Sequence, residues 1–295
     1  MSTASAVHQI RLIQTLDEFD GLALAWEELR SQAIASSIFV SHDFICAWLR
    51  SYGTGWEPFV LLAEAHDSLV GALPLCVSRT RLGRRSVCFL GDGYADYSDA
   101  LIRSDSPSAY DVLADALFEK LGDWDFAHLR YLCSESQLLR SLNPKRRADW
   151  LVRSEVTMPN PYIEVVGTWP GQVSKKLSWQ LKYQRRKLEK AHGEVTVSWG
   201  TTPEEVSAGL EVLYRLHRLR WESMKGSISN FTIAAARQVH ASMFTQLAEK
   251  HRTLLSTLSV ADRPIAVAVN LIGEDTIYYC QTAFDPEFAD YSPSS

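Results

Sequence analysis

Apolar and polar positions along the chain follow both helical and strand-like patterns. The segment TLDEFDGLALAWEELRSQA has helical apolar spacing, and Thr15 and Glu18 are placed as a capping box requires. The runs PFVLLAEA, SLVGALPLCVS and RSVCFLG predict strands, SAYDVLADALFEKLG predicts a helix, and WDFAHLRYL predicts a further strand. This mixture predicts an α/β fold, or α+β with mixed sheets.

The second half repeats this kind of pattern after a Pro/Gly-rich break at MPNPYIEVVGTWPG. Further strands are predicted around Trp150 and Tyr162, and the break divides the chain into domains 1–158 and 159–295. A helix, SKKLSWQLKYQRRKLEKAHG, follows. It is succeeded by a strand, two helices over roughly 202–222 and 232–250, and three strands that end with TIYYCQTAF. The helix SKKLSWQLKYQRRKLEKAHG carries one stripe of positions that are expected to face inward: Leu177, Leu181, Gln184 and Leu188.

The two halves match at nearly constant offsets, which predicts a tandem duplication. The matching positions are Trp26 with Trp221, Gly71 with Ala266, Phe39 with Phe231, and ADYS at 95–98 with ADYS at 289–292. In the first copy, ADYSD precedes a predicted helix and strand, whereas the second copy stops at ADYSPSS. We therefore expect the second copy to be truncated at its C-terminus, the alternative being that it closes differently.

Charge and cysteine usage narrow the class of protein. The formal net charge is −5, so the molecule as a whole is not suited to polyanions and any anion site is local. No apolar run approaches the ~20 residues of a membrane helix, and the N-terminus lacks the pattern of a signal peptide. Five scattered cysteines without CxxC pairs are typical of a reduced, cytoplasmic protein.

A tandem of such units, with LKYQRRKLEK, LHRLRWESMKGSISNF, PIAVAVNL and FDPEFADYSP, resembles the double-domain GNAT-fold acyltransferases. More narrowly, it resembles the CelD-like group associated with cellulose and exopolysaccharide synthesis, and Fem-type aminoacyl transferases are distant relatives. The resemblance implies two GNAT-like domains, the second incomplete. It also implies an acyl-CoA donor such as acetyl-CoA, an amine or hydroxyl acceptor, and no metal.

The resemblance also implies where the donor binds. The donor pyrophosphate is expected against backbone N–H groups at a helix N-terminus, which places Ser292 of the Tyr-Ser-Pro element in the donor site. In the family's pattern Gly and that helix follow, whereas this chain has Ser294 and Ser295.

Candidate catalytic residues lie on the last strand and the loop after it. Acyl transfer from a thioester requires deprotonation of the acceptor, donors to the oxyanion and accommodation of the thiolate. Asp285 is a candidate general base, Tyr291 a candidate donor to the oxyanion or thiolate, and Gln281 a candidate for orienting the acceptor. The alternatives are a turn at Asp285, simple packing of Tyr291, and an exposed polar position at Gln281. The sequence contains no GxSxG, no HExxH and no metal-like His/Cys cluster.

Candidate binding residues lie on two helices and one loop. One helix has seven cations and one acid, and its candidate binding residues are Lys182, Arg185 and Arg186. This charge favours binding of the donor phosphates, of a sugar-phosphate acceptor or of an acyl-carrier protein. Alternatively, the basic face of the helix is only solvated. Nucleic acid is disfavoured because interleaved aromatic residues are few. The candidate acceptor residues are Arg220 and Trp221 on a later helix, and Asp96 and Tyr97 in a cleft between the domains. Alternatively, Trp221 packs in the core as its counterpart Trp26 would, and Asp96 and Tyr97 close a turn.

These features predict an acyl-CoA-dependent N- or O-acyltransferase that acts on a small or sugar-linked acceptor in polysaccharide or envelope-precursor synthesis. Two alternatives stay open at this point: a Fem-like transferase that uses aminoacyl-tRNA, and a non-catalytic partner in a biosynthetic assembly.

Overall fold

The structure is a computed structural model, and its chain forms two compact units, Met1–Val156 and Thr157–Ser295. The residues that it describes are 8–52, 55–120, 124–142, 151–156, 159–167, 173–224 and 228–294. Trp150, near which a strand is predicted, lies outside the described residues, and so does residue 158 at the predicted domain boundary.

The N-terminal unit is a mixed sheet with helices. Its elements are β1 (Gln9–Ile13), α1 (Leu16–Asp20), α2 (Ala23–Ser31), α3 (His42–Tyr52), β2 (Trp56–Ala65), β3 (Ser68–Arg79), β4 (Arg85–Phe89), β5 (Leu101–Ile102), α4 (Ala109–Glu119), β6 (Phe126–Ala127) and α5 (Gln137–Ser141). The sheet order is β1-β2-β3-β4-β6, with β5 paired to β3. The β4–β6 pair is parallel and the other pairs are antiparallel.

Local sequence accounts for how this unit begins. The Thr15 side chain accepts a hydrogen bond from the Glu18 backbone N–H, and the Glu18 carboxylate accepts one from the Thr15 backbone N–H. This is the predicted capping box, and it satisfies N–H groups that the first turn of α1 leaves without partners. Phe59, Leu73 and Leu113 are buried where β2, β3 and α4 pack together.

The C-terminal unit is an antiparallel meander covered by helices. Its elements are α6 (Lys175–His192), β7 (Val195–Gly200), α7 (Pro203–Glu222), α8 (Ala234–Glu249), β8 (Thr253–Val260), β9 (Arg263–Ile272) and β10 (Ile277–Phe284). The sheet order is β10-β9-β8-β7, and a 3-10 turn over Pro286–Tyr291 follows β10. Thr202 and Glu205 form a second capping box at the start of α7, which packs against α8, β9 and β10.

The duplication predicted from the sequence is visible in the order of elements. Each unit has a strand, then helices, then three consecutive antiparallel strands. The matched positions fall on equivalent elements: Trp26 and Trp221 on α2 and α7, Phe39 and Phe231 in 3-10 turns before α3 and α8, Gly71 and Ala266 on β3 and β9, and the two ADYS runs after β4 and β10. The predicted mixed α/β fold class is confirmed.

Several local predictions are wrong. The segment 159–167, which contains Tyr162, has no regular secondary structure, and its prolines at 159 and 161 lack the N–H groups that a ladder needs. The strand predicted over WDFAHLRYL is limited to β6. The inward stripe of α6 is buried only at Leu188 (3% exposed), whereas Leu177 (45%) and Leu181 (39%) are exposed.

Candidate functional site

A β-bulge interrupts the pairing of the last two strands beside the predicted catalytic residues. Tyr279 is opposite Asn270 and Gln281 is opposite Val269, so Cys280 is an extra residue in β10. Bulges of this kind change the direction of a strand and interrupt its ladder, and they are common next to active sites. Gln281, the candidate for orienting an acceptor, is half-buried and comes directly after the bulge.

Asp285 is buried at the end of β10 and holds the start of the 3-10 turn. Its Oδ1 accepts a hydrogen bond from the Glu287 backbone N–H at 3.1 Å, and its Oδ2 accepts one from Arg263 at 2.6 Å. Arg263 also donates to Glu287 at 2.7 Å, and its hydrogen bonds to Glu287 and Asp285 raise the pKa of Arg263. Both carboxylate oxygens of Asp285 therefore have partners, one in the turn and one on β9.

Replacing Arg263 is expected to loosen this turn. The Arg263→Met variant leaves the buried Asp285 carboxylate without its cation, so we expect a loss of about 1–2 kcal/mol, reduced by the half-exposed position of the guanidinium. The measurement is the urea midpoint, together with hydrogen exchange of residues 285–291. Arg218→Met is the matched control, because Arg218 is 3.6 Å from Glu222 in an exposed pair. Equal losses in the two variants would contradict the role given to Asp285.

Tyr291 ends the turn and contacts the end of α6. Its hydroxyl oxygen lies 3.0 Å from Nε2 of His192, and Lys187 Nζ lies 4.9 Å from the centre of its ring. Ser292 follows in the left-handed conformation with φ 51°, and it is exposed. The sequence did not single out His192, although its position at the last turn of a basic helix was visible.

Arg220 and Trp221 are near the same end of β10 but have different partners. The Arg220 guanidinium lies 4.9 Å from the centre of the Phe284 ring, the last residue of the strand. The Trp221 indole N–H donates to Nε2 of His217 at 3.0 Å. Since Nε2 accepts, Nδ1 of His217 carries the proton and donates to Ser229 Oγ at 2.7 Å. Burial, with a smaller contribution from Arg220, lowers the pKa of His217.

The cations of α6 are exposed and differ in their partners. Arg185 pairs with Glu189 at 2.8 Å and reaches the Val195 carbonyl at 3.4 Å. Lys182 and Arg186 are exposed on the same helix. A donor-phosphate role for these three cations is compatible with their exposure and stays a prediction.

The predicted acceptor residues of the first copy lie in the loop after β4. Asp96 is exposed, and Tyr97 is half-buried with its ring 6.4 Å from that of Phe39. Their role in an acceptor cleft between the domains stays a prediction.

One group of side chains in the N-terminal unit has the composition of a metal site. Donor atoms of Asp20, His42 and Cys46 lie within 4.8 Å of one another. The Cys46 thiol donates to Asp20 Oδ1 at 3.0 Å, and its sulfur is 3.6 Å from both ring nitrogens of His42. Because the Cys46 sulfur is equidistant from both ring nitrogens of His42, neither nitrogen lone pair points to a position that the sulfur could share as a metal ligand. The imidazole ring of His42 stacks on Phe19, and its Nε2 lies 3.0 Å from the Phe19 carbonyl oxygen. These contacts are those of a packed polar cluster.

A cleft of about 360 Å³ lies between α7 and the β7–β8 pair, lined in part by Trp199, Gly209 and Leu255. Gly209 is required there because a Cβ would overlap the Leu255 side chain. The predicted site residues do not line this cleft, since β7 and β10 are at opposite edges of the sheet. Among the described residues, no helix has both the length and the apolar character needed to cross a bilayer.

The described geometry can be compared with known proteins. Residues 175–295 match the family model described as acetyltransferase (GNAT) domain. The matched segment lies within the C-terminal unit and covers 121 of the 295 residues of the chain. The matched segment begins at the first residue of α6 and includes every predicted site residue except Asp96 and Tyr97. The GNAT match supports acyl transfer in general and acyl-CoA as the donor.

Two solved structures share the fold of the whole chain at low sequence identity. The structure of FemX superposes with a TM-score of 0.59 and 10% identity, over 97% of this chain and 83% of FemX. A conserved protein of unknown function from Bacteroides thetaiotaomicron VPI-5482 superposes with a TM-score of 0.51 and 12% identity, over 96% and 82% of the two chains. A tandem GNAT protein from the clavulanic acid biosynthesis pathway has a TM-score of 0.40 and 9% identity, over 95% and 80%. No curated protein sequence matches this chain.

Proposed function

We propose that the protein transfers an acyl group, most simply acetyl, from acyl-CoA to an amine or hydroxyl of a small or sugar-linked acceptor. The observation that carries this proposal is the match of residues 175–295 to the GNAT acetyltransferase domain. The sequence resemblance extends the proposal to two GNAT-like domains, at 1–158 and 159–295. It also extends it to a CelD-like role in polysaccharide or envelope biosynthesis in the cytoplasm.

We assign proton transfer to the leaving group to Tyr291. The acceptor nitrogen or oxygen attacks the thioester carbonyl carbon and loses its proton to solvent, a C–N or C–O bond forms, and the C–S bond breaks to release the CoA thiolate. The Tyr291 hydroxyl gives its proton to that thiolate, and His192, whose Nε2 is 3.0 Å from the hydroxyl oxygen, mediates its recovery from solvent. Much of the acceleration comes from holding donor and acceptor together, which is worth effective molarities of about 10⁵–10⁸ M in favourable cases.

The remaining roles follow from position. We assign Gln281, beside the bulge, to orienting the acceptor, and Arg220 and Trp221 to the acceptor side of the site. Ser292, with Lys182, Arg185 and Arg186, is assigned to the donor phosphates, and Asp96 and Tyr97 to the acceptor. The partners of Asp285 favour the alternative that it holds the turn, which leaves its general-base role the weaker proposal.

The test combines binding with turnover. We expect acetyl-CoA to bind in isothermal titration, and hydroxylamine, a small nucleophile, to produce CoA release that is followed by chromatography. Tyr291→Phe should lower kcat about a hundredfold while acetyl-CoA affinity is kept, because only the proton donor is removed. Tyr279→Phe is the control, since Tyr279 is 59% exposed on β10, the strand that precedes the turn.

Each negative result has a distinct meaning. Absence of acetyl-CoA binding would overturn the proposal. Binding without turnover would favour the non-catalytic partner. The basic helix α6 gives the Fem-like alternative its support, and that alternative requires tRNA affinity that falls steeply with salt.

A further inference from the structure

One side of α6 combines exposed aromatic rings with positive charge. At ~100° per residue, Lys175, Lys176, Trp179, Tyr183, Arg186 and Lys190 fall within an arc of about 100°. All six side chains are exposed, and we call this set the outward face of α6. It lies on the side of the helix away from Leu188, the residue through which α6 is buried against its own unit.

The aromatic residues of the outward face are exposed and stack on each other. Trp179 is 66% exposed and Tyr183 is 51% exposed. Their rings stack on each other with centroids 5.3 Å apart and an interplanar angle of 12°. Leu177 and Leu181 lie on the opposite side of the helix, next to Leu188, and are also exposed, so the first half of the helix presents apolar groups to solvent on two sides.

The charge of the outward face opposes that of the protein. The face holds four cations and no acid, whereas the formal net charge of the chain is −5. The one acidic residue of α6, Glu189, lies off this face and is paired with Arg185. A local cationic surface on an acidic protein attracts anions in a defined orientation.

We propose that the outward face of α6 docks the protein on an anionic lipid bilayer, with the helix lying along the surface. Lysine and arginine side chains are attracted to anionic headgroups, and tryptophan and tyrosine rings bury their apolar bodies there while the indole N–H and the hydroxyl stay at the polar level. A helix with seven cations does not span a bilayer but suits the interface.

Shape and stacking favour a bilayer over other anionic partners. One face of each aromatic ring is already covered by the other ring, which leaves less of the pair for stacking with nucleic acid bases. A single convex helix face matches an extended surface better than the concave pocket that a specific protein partner would have to supply.

Vesicle sedimentation tests the proposal. The 295-residue protein is mixed with sucrose-loaded vesicles of phosphatidylcholine alone or with phosphatidylglycerol, and the pelleted fraction gives a partition coefficient. We expect binding only with phosphatidylglycerol, weakening as salt is added. The double variant Arg186→Glu, Lys190→Glu should lower the coefficient by at least about 25-fold, at roughly fivefold for each cation.

Two further variants separate the contributions. Trp179→Ser with Tyr183→Ser keeps the charge and should lose the binding that remains at high salt. The control variant, Arg153→Glu with Lys250→Glu, changes the net charge by the same amount as Arg186→Glu with Lys190→Glu, but at exposed positions outside the outward face. This control should keep its binding to the phosphatidylglycerol vesicles. Far-UV circular dichroism and Tm confirm that each variant is folded.

Other outcomes overturn the proposal. Equal loss in the control pair would show that only net charge matters. Absence of phosphatidylglycerol-dependent sedimentation would show that the outward face does not dock on an anionic bilayer. Binding of single-stranded RNA or of an acidic protein by the outward face would give this same negative result. Because the assay uses neither acyl-CoA nor turnover, its result is independent of the proposed function.

Discussion

Lowering the pH from 7 to 4.5 should destabilise the C-terminal unit by about 2–3 kcal/mol through His240 alone. His240 is 4% exposed, lies between Phe231 and Phe244, and has its Nδ1 3.0 Å from the Tyr214 hydroxyl. Burial, and to a smaller extent the neighbouring His217, lowers its pKa to about 3.

The sign follows from where each state takes up its proton. In the unfolded chain His240 is protonated near pH 6.5, whereas in the folded unit it stays neutral down to about pH 3. Between these values the unfolded state binds the extra proton, so each pH unit of acidification costs about 1.4 kcal/mol. The effect is absent above pH 6.5, and the lowered pKa of His217 adds to it in the same direction.

Urea unfolding at several pH values measures this slope. His240→Gln should flatten it between pH 7 and 4.5, because the titrating group is gone. His251→Asn removes an exposed histidine and controls for the loss of one imidazole. An unchanged slope in His240→Gln would show that His240 is protonated in the folded unit.

Replacing Trp26 by alanine should cost the N-terminal unit about 3–5 kcal/mol, or roughly 10 °C in Tm. Trp26 is fully buried, packs edge-on against Phe19 with centroids 4.9 Å apart, and donates from its indole N–H to the Val40 carbonyl at 2.9 Å. The substitution leaves a large cavity and a buried carbonyl that has lost this donor.

The duplication supplies the control for this prediction. Trp221→Ala changes the equivalent tryptophan, which is half-buried and bonded to His217, so its cost should be clearly smaller. Hydrogen exchange of peptides from each unit assigns the loss to the correct one. A cost for Trp221→Ala equal to that for Trp26→Ala would mean that the two copies use this position in the same way.

The fold was largely predictable because its signals are local or repeated. The capping box at Thr15 and the strand runs are short-range patterns, and the duplication doubles the evidence for each element. The partners of Trp221 were not predictable, since its hydrogen bond to His217 depends on a side chain one helical turn away and on Ser229 from a later segment. The exposure of Leu177 and Leu181 was not predictable because helical periodicity shows which side of a helix is apolar and not whether anything covers it.

The candidate site was predictable in outline only. The sequence placed Gln281, Asp285 and Tyr291 on one strand and its following loop, and the structure keeps them on that strand end and turn. The sequence could not reveal that Arg263 donates a hydrogen bond to Asp285 or that His192 contacts the Tyr291 hydroxyl, since 22 and 99 positions separate the two residues of those pairs. Such contacts come from tertiary packing, which a single sequence does not encode in any short pattern.

Each unit closes its described core with its own residues, around Phe59 and Leu113 in one and Leu188 and Ile265 in the other. The described residues of these two clusters have no member in common, so we expect the free energies of unfolding of substitutions in them to add. A duplicated protein of this kind can accumulate change in one copy while the other stays constrained. That independence gives evolution, and the protein engineer, two nearly separate sequences to vary within one chain.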